Sequence, residues 1–174
     1  MPDTTEDRIL VLLRHAKAVH DGTPDIDRRL APRGQADAAA VGRWFVEADH
    51  DFGLVLCSPS ARTRETWAEL EQAGVTGAEV SYDERIYDAS VDDLLDALAE
   101  VPDQIAHVLV VGHAPGIPAL AEMLADPARS DAESLHTLGR SFPTSGFAVL
   151  TIDGRWSDLE EHGAELTEVA APRG

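Results

Sequence analysis

A run of apolar, β-prone residues, Ile9-Leu10-Val11-Leu12-Leu13, ends in Arg14 and His15 side by side. The pair sets a fixed cation beside an imidazole that is substantially neutral near physiological pH. That combination suits phosphoryl chemistry, because a guanidinium fork grips oxygens and an imidazole nitrogen can attack phosphorus. Two further strand-like runs end in similar residues. Leu54-Val55-Leu56-Cys57 gives way to Ser58-Pro59 with Arg62 close behind, and His107-Val108-Leu109-Val110-Val111 gives way to Gly112-His113. In an open α/β sheet, ligands bind beyond the carboxyl ends of the parallel strands. Three such ends on one rim would gather two arginines and two histidines in one pocket. Arg14 and Arg62 would then hold phosphoryl oxygens, one imidazole would attack, and the other would donate a hydrogen bond as charge builds up. Ser58 as N-cap and Pro59 at the first helical position predict a helix start here, whose free N–H groups favour an anion.

Each of these residues also has an ordinary reading. His15 can cap a loop, Arg14 can pair with a surface carboxylate, and Arg62 and Arg64 can form the exposed face of a helix. Gly112-His113-Ala114-Pro115-Gly116 can be a tight turn. His20, His50, His107, His136 and His162 have no supporting context and read as surface or structural residues. No histidine pair has metal-ligand spacing, so no metal is expected. The single cysteine, Cys57, excludes an intramolecular disulfide and a cysteine-based zinc site.

The elements that must position these residues follow from the pattern. Residues 8–14 read as a buried strand, and 15–33 as a polar, turn-rich stretch broken by Asp21-Gly22-Thr23-Pro24. Gly34 to Ala48 has helical spacing, with Ala38, Val41, Phe45 and Val46 able to share a face. Leu54 to Cys57 is a short strand, followed by a helix to about Gln72 that Gly74 stops. Ala78 to Ser81 suggests another strand, and Val91 to Glu100 an amphipathic helix carrying Leu94, Leu95 and Leu98. His107 to Val111 is the clearest internal strand, and Ile117 to Leu124 is helical. Residues 126–141 read as polar and irregular. Gly146 to Ile152 reads as a strand, Asp153-Gly154 as a hairpin turn, and Arg155 to Leu159 as its partner. Strands alternating with helices predict an α/β fold, a three-layer α/β/α sandwich around a mostly parallel sheet with an antiparallel C-terminal edge.

With 174 residues and no internal linker, the chain is expected to form a single domain over 1–174, with residues 1–7 and about 160–174 at its periphery. The net charge of −18 opposes binding to nucleic acid and to anionic membranes. An anionic substrate must therefore be captured by a local basic pocket. Lys17 is the only lysine, so every other fixed cation is an arginine, the better residue for bidentate phosphate recognition. No apolar window is long enough to span a membrane and residues 1–7 are polar, so a cytoplasmic location is expected.

In this order the motifs resemble those of the histidine phosphatase, or phosphoglycerate mutase-like, superfamily. Leu12-Leu13-Arg14-His15-Ala16 resembles its RHG signature, Ser58 to Thr66 its SPxxRxxxT segment, and Val110-Val111-Gly112-His113-Ala114 its second-histidine strand end. Asp27-Arg28-Arg29-Leu30-Ala31-Pro32-Arg33-Gly34 and Gly112-His113-Ala114-Pro115-Gly116 look like the small SixA-like phosphohistidine phosphatases, and the length agrees. The resemblance spans about residues 8 to 150. It implies the phosphoglycerate mutase-like fold, a phosphorylated substrate such as a phosphohistidine protein, and no cofactor. His15 would be the nucleophile that is transiently phosphorylated, Arg14 and Arg62 would bind phosphate, and His113 would complete the pocket and act in catalysis.

Two features depart from the pattern. Ala16 stands where glycine is usual, a small intrusion that the fold should tolerate. The general acid of many relatives has only Glu84 as a loose counterpart, in Glu84-Arg85-Ile86-Tyr87, and Glu84 also reads as a surface acid among Asp83, Asp88, Asp92 and Asp93. A P–N substrate does not need a strong acid, because its imidazole leaves readily once protonated. The residues imply a phosphatase for phosphohistidine or a similarly labile group. A broad acid phosphatase acting on small esters and a non-catalytic phospho-ligand module are the alternatives.

Overall fold

The computed structural model describes residues 7–77 and 79–174. Its centre is a six-stranded sheet of order β3-β2-β4-β1-β5-β6. The strands are β1 (Arg8–Arg14), β2 (Leu54–Cys57), β3 (Val80–Tyr82), β4 (His107–Gly112), β5 (Phe147–Ile152) and β6 (Ala164–Ala170). The first four are mutually parallel, while β5 runs antiparallel to both β1 and β6. Ala78, at the start of the expected third strand, lies outside the described residues.

Both faces of the central strands are apolar, as strands covered on two sides require. One face sends Val11, Leu13, Val55, Leu109, Val111 and Phe147 against α1 (Pro32–Glu47) and α2 (Ala61–Gln72). The other sends Leu10, Leu12, Leu56, Val108, Val110 and Leu150 against α3 (Val91–Ala99), α4 (Gly116–Leu124) and α5 (Ala132–Arg140). The result is the expected three-layer sandwich. In α1, Ala38, Val41 and Phe45 are buried, but Val46 is 43% exposed, because it stands a further 100° around the helix from Phe45. Gly74 ends the α2 turn with φ +107°, a left-handed conformation that suits glycine.

Four sequence expectations need correction. The helix after β2 is capped by Ser60, whose hydroxyl accepts from the Thr63 N–H, and not by Ser58. Ser58 directly follows β2 and is still tied to β4, donating its N–H to Val111 O at 3.0 Å. Residues 126–141 are not wholly irregular, since Asp131 caps α5 by accepting from Ser134 N–H. Only Ser134 and Leu138 of that helix are buried, so its apolar stripe is too thin to show as periodicity. Arg155–Leu159 is not the hairpin partner of β5. Trp156 is buried there on a 3-10 turn, its indole N–H donating to Ile105 O at 2.8 Å, which pulls the segment off the sheet edge. The true partner is β6, within the stretch expected to be peripheral, where Ala164 and Leu166 are fully buried.

Candidate active site

Register brings the three strand ends onto one rim. Arg14 pairs with Gly112 across β1 and β4, and Cys57 with Val111 across β2 and β4. Backbone hydrogen bonds stitch the rim beyond the strands: His15 N–H to Gly112 O at 2.9 Å, Arg14 N–H to Gly146 O at 2.9 Å, and Ser145 N–H to His15 O at 3.0 Å. Because β5 is antiparallel, its entry loop joins the same rim as the exits of β1, β2 and β4.

Arg14, His15, Arg62 and His113 line one cavity of roughly 650 Å³. The rings of His15 and His113 lie 5.2 Å apart between centroids, tilted by 56°. His15 Nδ1 is 2.7 Å from its neighbour's carbonyl, Ala16 O. A carbonyl only accepts, so Nδ1 carries the proton and Nε2 keeps its lone pair. Ala16 is held in turn: its N–H donates to Thr66 Oγ1 at 3.0 Å, and Thr66 donates to Arg62 O at 2.7 Å. The first turns of α2 thus fix both Arg62 and the peptide that orients the nucleophile candidate. The Ala16 methyl is fully buried in the core on the α1–α2 side, so the departure from glycine is accommodated.

Both imidazoles are held neutral. Burial, reinforced by the charges of Arg62, Arg14 and Arg28, lowers His15 to about 4 despite the opposing bond to Ala16 O. Burial, then the neighbouring His15 and Arg62, lowers His113 to about 3. Burial also lowers the Arg14 pKa from its ordinary value. Arg14 donates through Nη1 to Phe142 O at 3.0 Å. Arg62 donates through Nη1 to Asp25 O at 2.7 Å and through Nη2 to Asp25 Oδ2 at 3.1 Å. The Nε atoms of Arg14 and Arg62 and Nδ1 of His113 are buried without a hydrogen-bond partner in the protein. Buried polar atoms need partners, and an anion seated among these side chains would supply them.

Glu84 does not join the group. It is exposed on the 3-10 turn Glu84–Ile86 and is not among the residues lining the cavity. It is the tyrosine of the Glu84-Arg85-Ile86-Tyr87 run that reaches the cavity, its ring 5.5 Å from that of His113 and its hydroxyl donating to Asp25 Oδ2 at 2.5 Å. Asp25, held by Tyr87 and by Arg62 and Arg28, stays ionised down to about 2. Asp25, Arg28 and Tyr87 went unrecognised in the sequence analysis, although Arg28 and Tyr87 lie in quoted motifs. His20, read there as a surface residue, is exposed but also lines the cavity, with Nδ1 3.2 Å from Arg28 Nη1.

Comparison with known proteins agrees with this geometry. The family model of the histidine phosphatase superfamily (branch 1) matches residues 10–108. An uncharacterised protein of Mycobacterium tuberculosis is 39% identical over 162 residues, covering 92% of this chain and all of the relative. The structure of a proposed phosphohistidine phosphatase SixA from Nakamurella multipartitia superposes with a TM-score of 0.84 at 40% identity, covering 95% of this chain and 96% of that one. A second, from Agrobacterium tumefaciens, gives a TM-score of 0.75 at 30% identity over 95% of this chain and 99% of that one. With its strand-end arginine, its paired histidines and its mutase-like sheet, the chain belongs to branch 1 of the histidine phosphatase superfamily and is SixA-like within it.

Proposed function

We propose that the chain hydrolyses phosphohistidine, or a similarly labile phosphoryl group, through a phosphorylated His15. The observation that carries this reading is the Ala16 carbonyl on His15 Nδ1, which leaves a neutral Nε2 lone pair among two arginines. Nε2 attacks phosphorus, the bond from phosphorus to the leaving atom breaks, and the electron pair departs with that atom. Water then attacks the phosphohistidine, and the P–N bond to His15 breaks to release phosphate. Arg14 and Arg62 hold the equatorial oxygens throughout, and His113 donates to them as charge develops.

The nature of the leaving group follows from the carboxylates. An alkoxide needs a proton from a nearby acid. Glu84 is not among the residues that line the cavity, and Asp25 is held ionised. A nitrogen leaving group that arrives already protonated needs no such donor. The proposed SixA assignments of the two relatives at 40% and 30% identity support the same substrate class. Asp88 also lines the cavity and is the residue that an ester-hydrolysing reading would have to use.

The test compares a phosphohistidine peptide with an alkyl phosphate ester, glycerol 2-phosphate, whose alkoxide needs a proton donor, for the wild type and for His15→Ala. Fast turnover of the peptide, poor turnover of the ester and loss of both in His15→Ala is the expected result. Ester turnover that matches or exceeds the peptide, and falls in Asp88→Asn, would replace this reading with a broad acid phosphatase. Persistent activity in His15→Ala would remove the mechanism altogether.

A further inference from the structure

Ser58 was expected to cap a helix, and Ser60 does that instead. Ser58 is fully buried, with its Oγ 2.8 Å from His113 Nε2. The Ser60 N–H approaches the same oxygen at 3.4 Å and so takes up acceptor capacity. The Ser58 hydroxyl has one proton, and His113 Nε2 is the only acceptor within its reach among the described residues. If Nε2 carried the imidazole proton, the buried hydroxyl proton would have no acceptor, at a cost comparable to a lost hydrogen bond. Satisfying the buried Ser58 hydroxyl therefore requires it to donate to Nε2, which places the imidazole proton on Nδ1. That Nδ1 is buried and has no partner in the protein, on a side chain that lines the cavity.

We propose that Ser58 is a positioning residue: its hydroxyl locks His113 as the Nδ1–H tautomer, so that this N–H is aimed as a donor at the phosphoryl group. The inference rests on the phosphoryl-transfer reading above. In the opposite tautomer, a bare Nδ1 lone pair would face phosphoryl oxygens and repel them as their charge grows. His113 keeps its proton in both chemical steps; it gives a hydrogen bond only, and no proton needs to be returned to it.

The experiment is nitrogen-15 NMR of histidine-labelled protein, wild type and Ser58→Ala, with turnover measured on the same samples. In the ligand-free wild type, His113 should show a protonated Nδ1 and a pyridine-like Nε2. In Ser58→Ala the two tautomers should mix. Its kcat should fall roughly 10- to 100-fold, short of or within the range for outright loss of one oxyanion donor, with KM changed by less than about threefold. A wild-type spectrum with the proton on Nε2 overturns the proposal without recourse to any variant. An unchanged tautomer or an unchanged kcat in folded Ser58→Ala does so too. If no phosphoryl substrate is turned over, the phosphatase reading fails, while the wild-type spectrum still decides the tautomer on its own.

Discussion

Replacing His15 by glutamine isolates the cost of burying a titratable base between arginines. In the unfolded chain a histidine titrates near 6.5, whereas in the fold His15 is lowered to about 4, by burial first and by Arg62, Arg14 and Arg28 after it. Above pH 6.5 the ring is neutral in both states and contributes no pH dependence. Between 6.5 and 4 the unfolded chain binds the extra proton, so stability falls as pH falls. Below 4 the loss is complete. At about 1.36 kcal/mol per pKa unit, moving from about pH 7.5 to about pH 5 costs about 2 kcal/mol through His15 alone. Glutamine has no such dependence. His113 is lowered to about 3 by burial first and by His15 next; its burial persists in the variant and His15 is itself neutral over this range, so its contribution is nearly equal in the two proteins. Urea melts in phosphate-free buffer should show the wild type losing about 2 kcal/mol more than His15→Gln over this pH interval. With an m-value of about 1–3 kcal/mol/M, that is a differential midpoint shift of roughly 1 M. Equal pH dependence to within about 0.5 kcal/mol, or a larger loss in the variant, would refute the claim that the fold holds this imidazole neutral.

Other substitutions probe other parts of the site. Arg62→Lys keeps the charge but loses the planar fork that meets Asp25 through both terminal nitrogens, so kcat/KM should drop about 10- to 100-fold in steady-state assays. Glu84→Gln should leave turnover of both phosphohistidine peptide and ester within about twofold of wild type; a larger loss would show that this exposed carboxylate reaches the reaction. Gly34→Ala should destabilise the chain by roughly 1–3 kcal/mol or more in thermal or urea melts. A Cβ there would lie 2.1 Å from Lys17 O, in the segment that follows His15.

The central strands and the four-residue site were legible in the sequence for the same reason. Fully buried parallel strands read as unbroken apolar runs, and each ended on a residue with recognisable chemistry, so the sheet rule alone placed Arg14, His15 and His113 together. Weakly buried elements were not legible in this way. Helix α5 buries little beyond Leu138, and nothing local shows that Trp156 turns inward. The partner of β5 lies beyond that turn, past the reach of a hairpin rule. At the site, Asp25 and Tyr87 are separated by 62 positions and meet only through the tertiary fold. Ser58 was assigned to the wrong task because serine followed by proline has a good local explanation. Choosing between Ser58 and Ser60 as the cap requires knowing where the strand lets go.

The bond from Arg14 to the carbonyl of Phe142 joins residues 128 positions apart, and the His15 carbonyl is held by Ser145 from the same loop. A nascent or proteolytically clipped chain that lacks this loop can display an arginine and a histidine at a strand end, but not the wall that orients them. Such a fragment would lack the pocket in which the pair could hold a phosphoryl group. Catalytic competence is therefore acquired late, with completion of the tertiary structure, and recovered turnover can report on refolding where spectroscopic signals of secondary structure cannot.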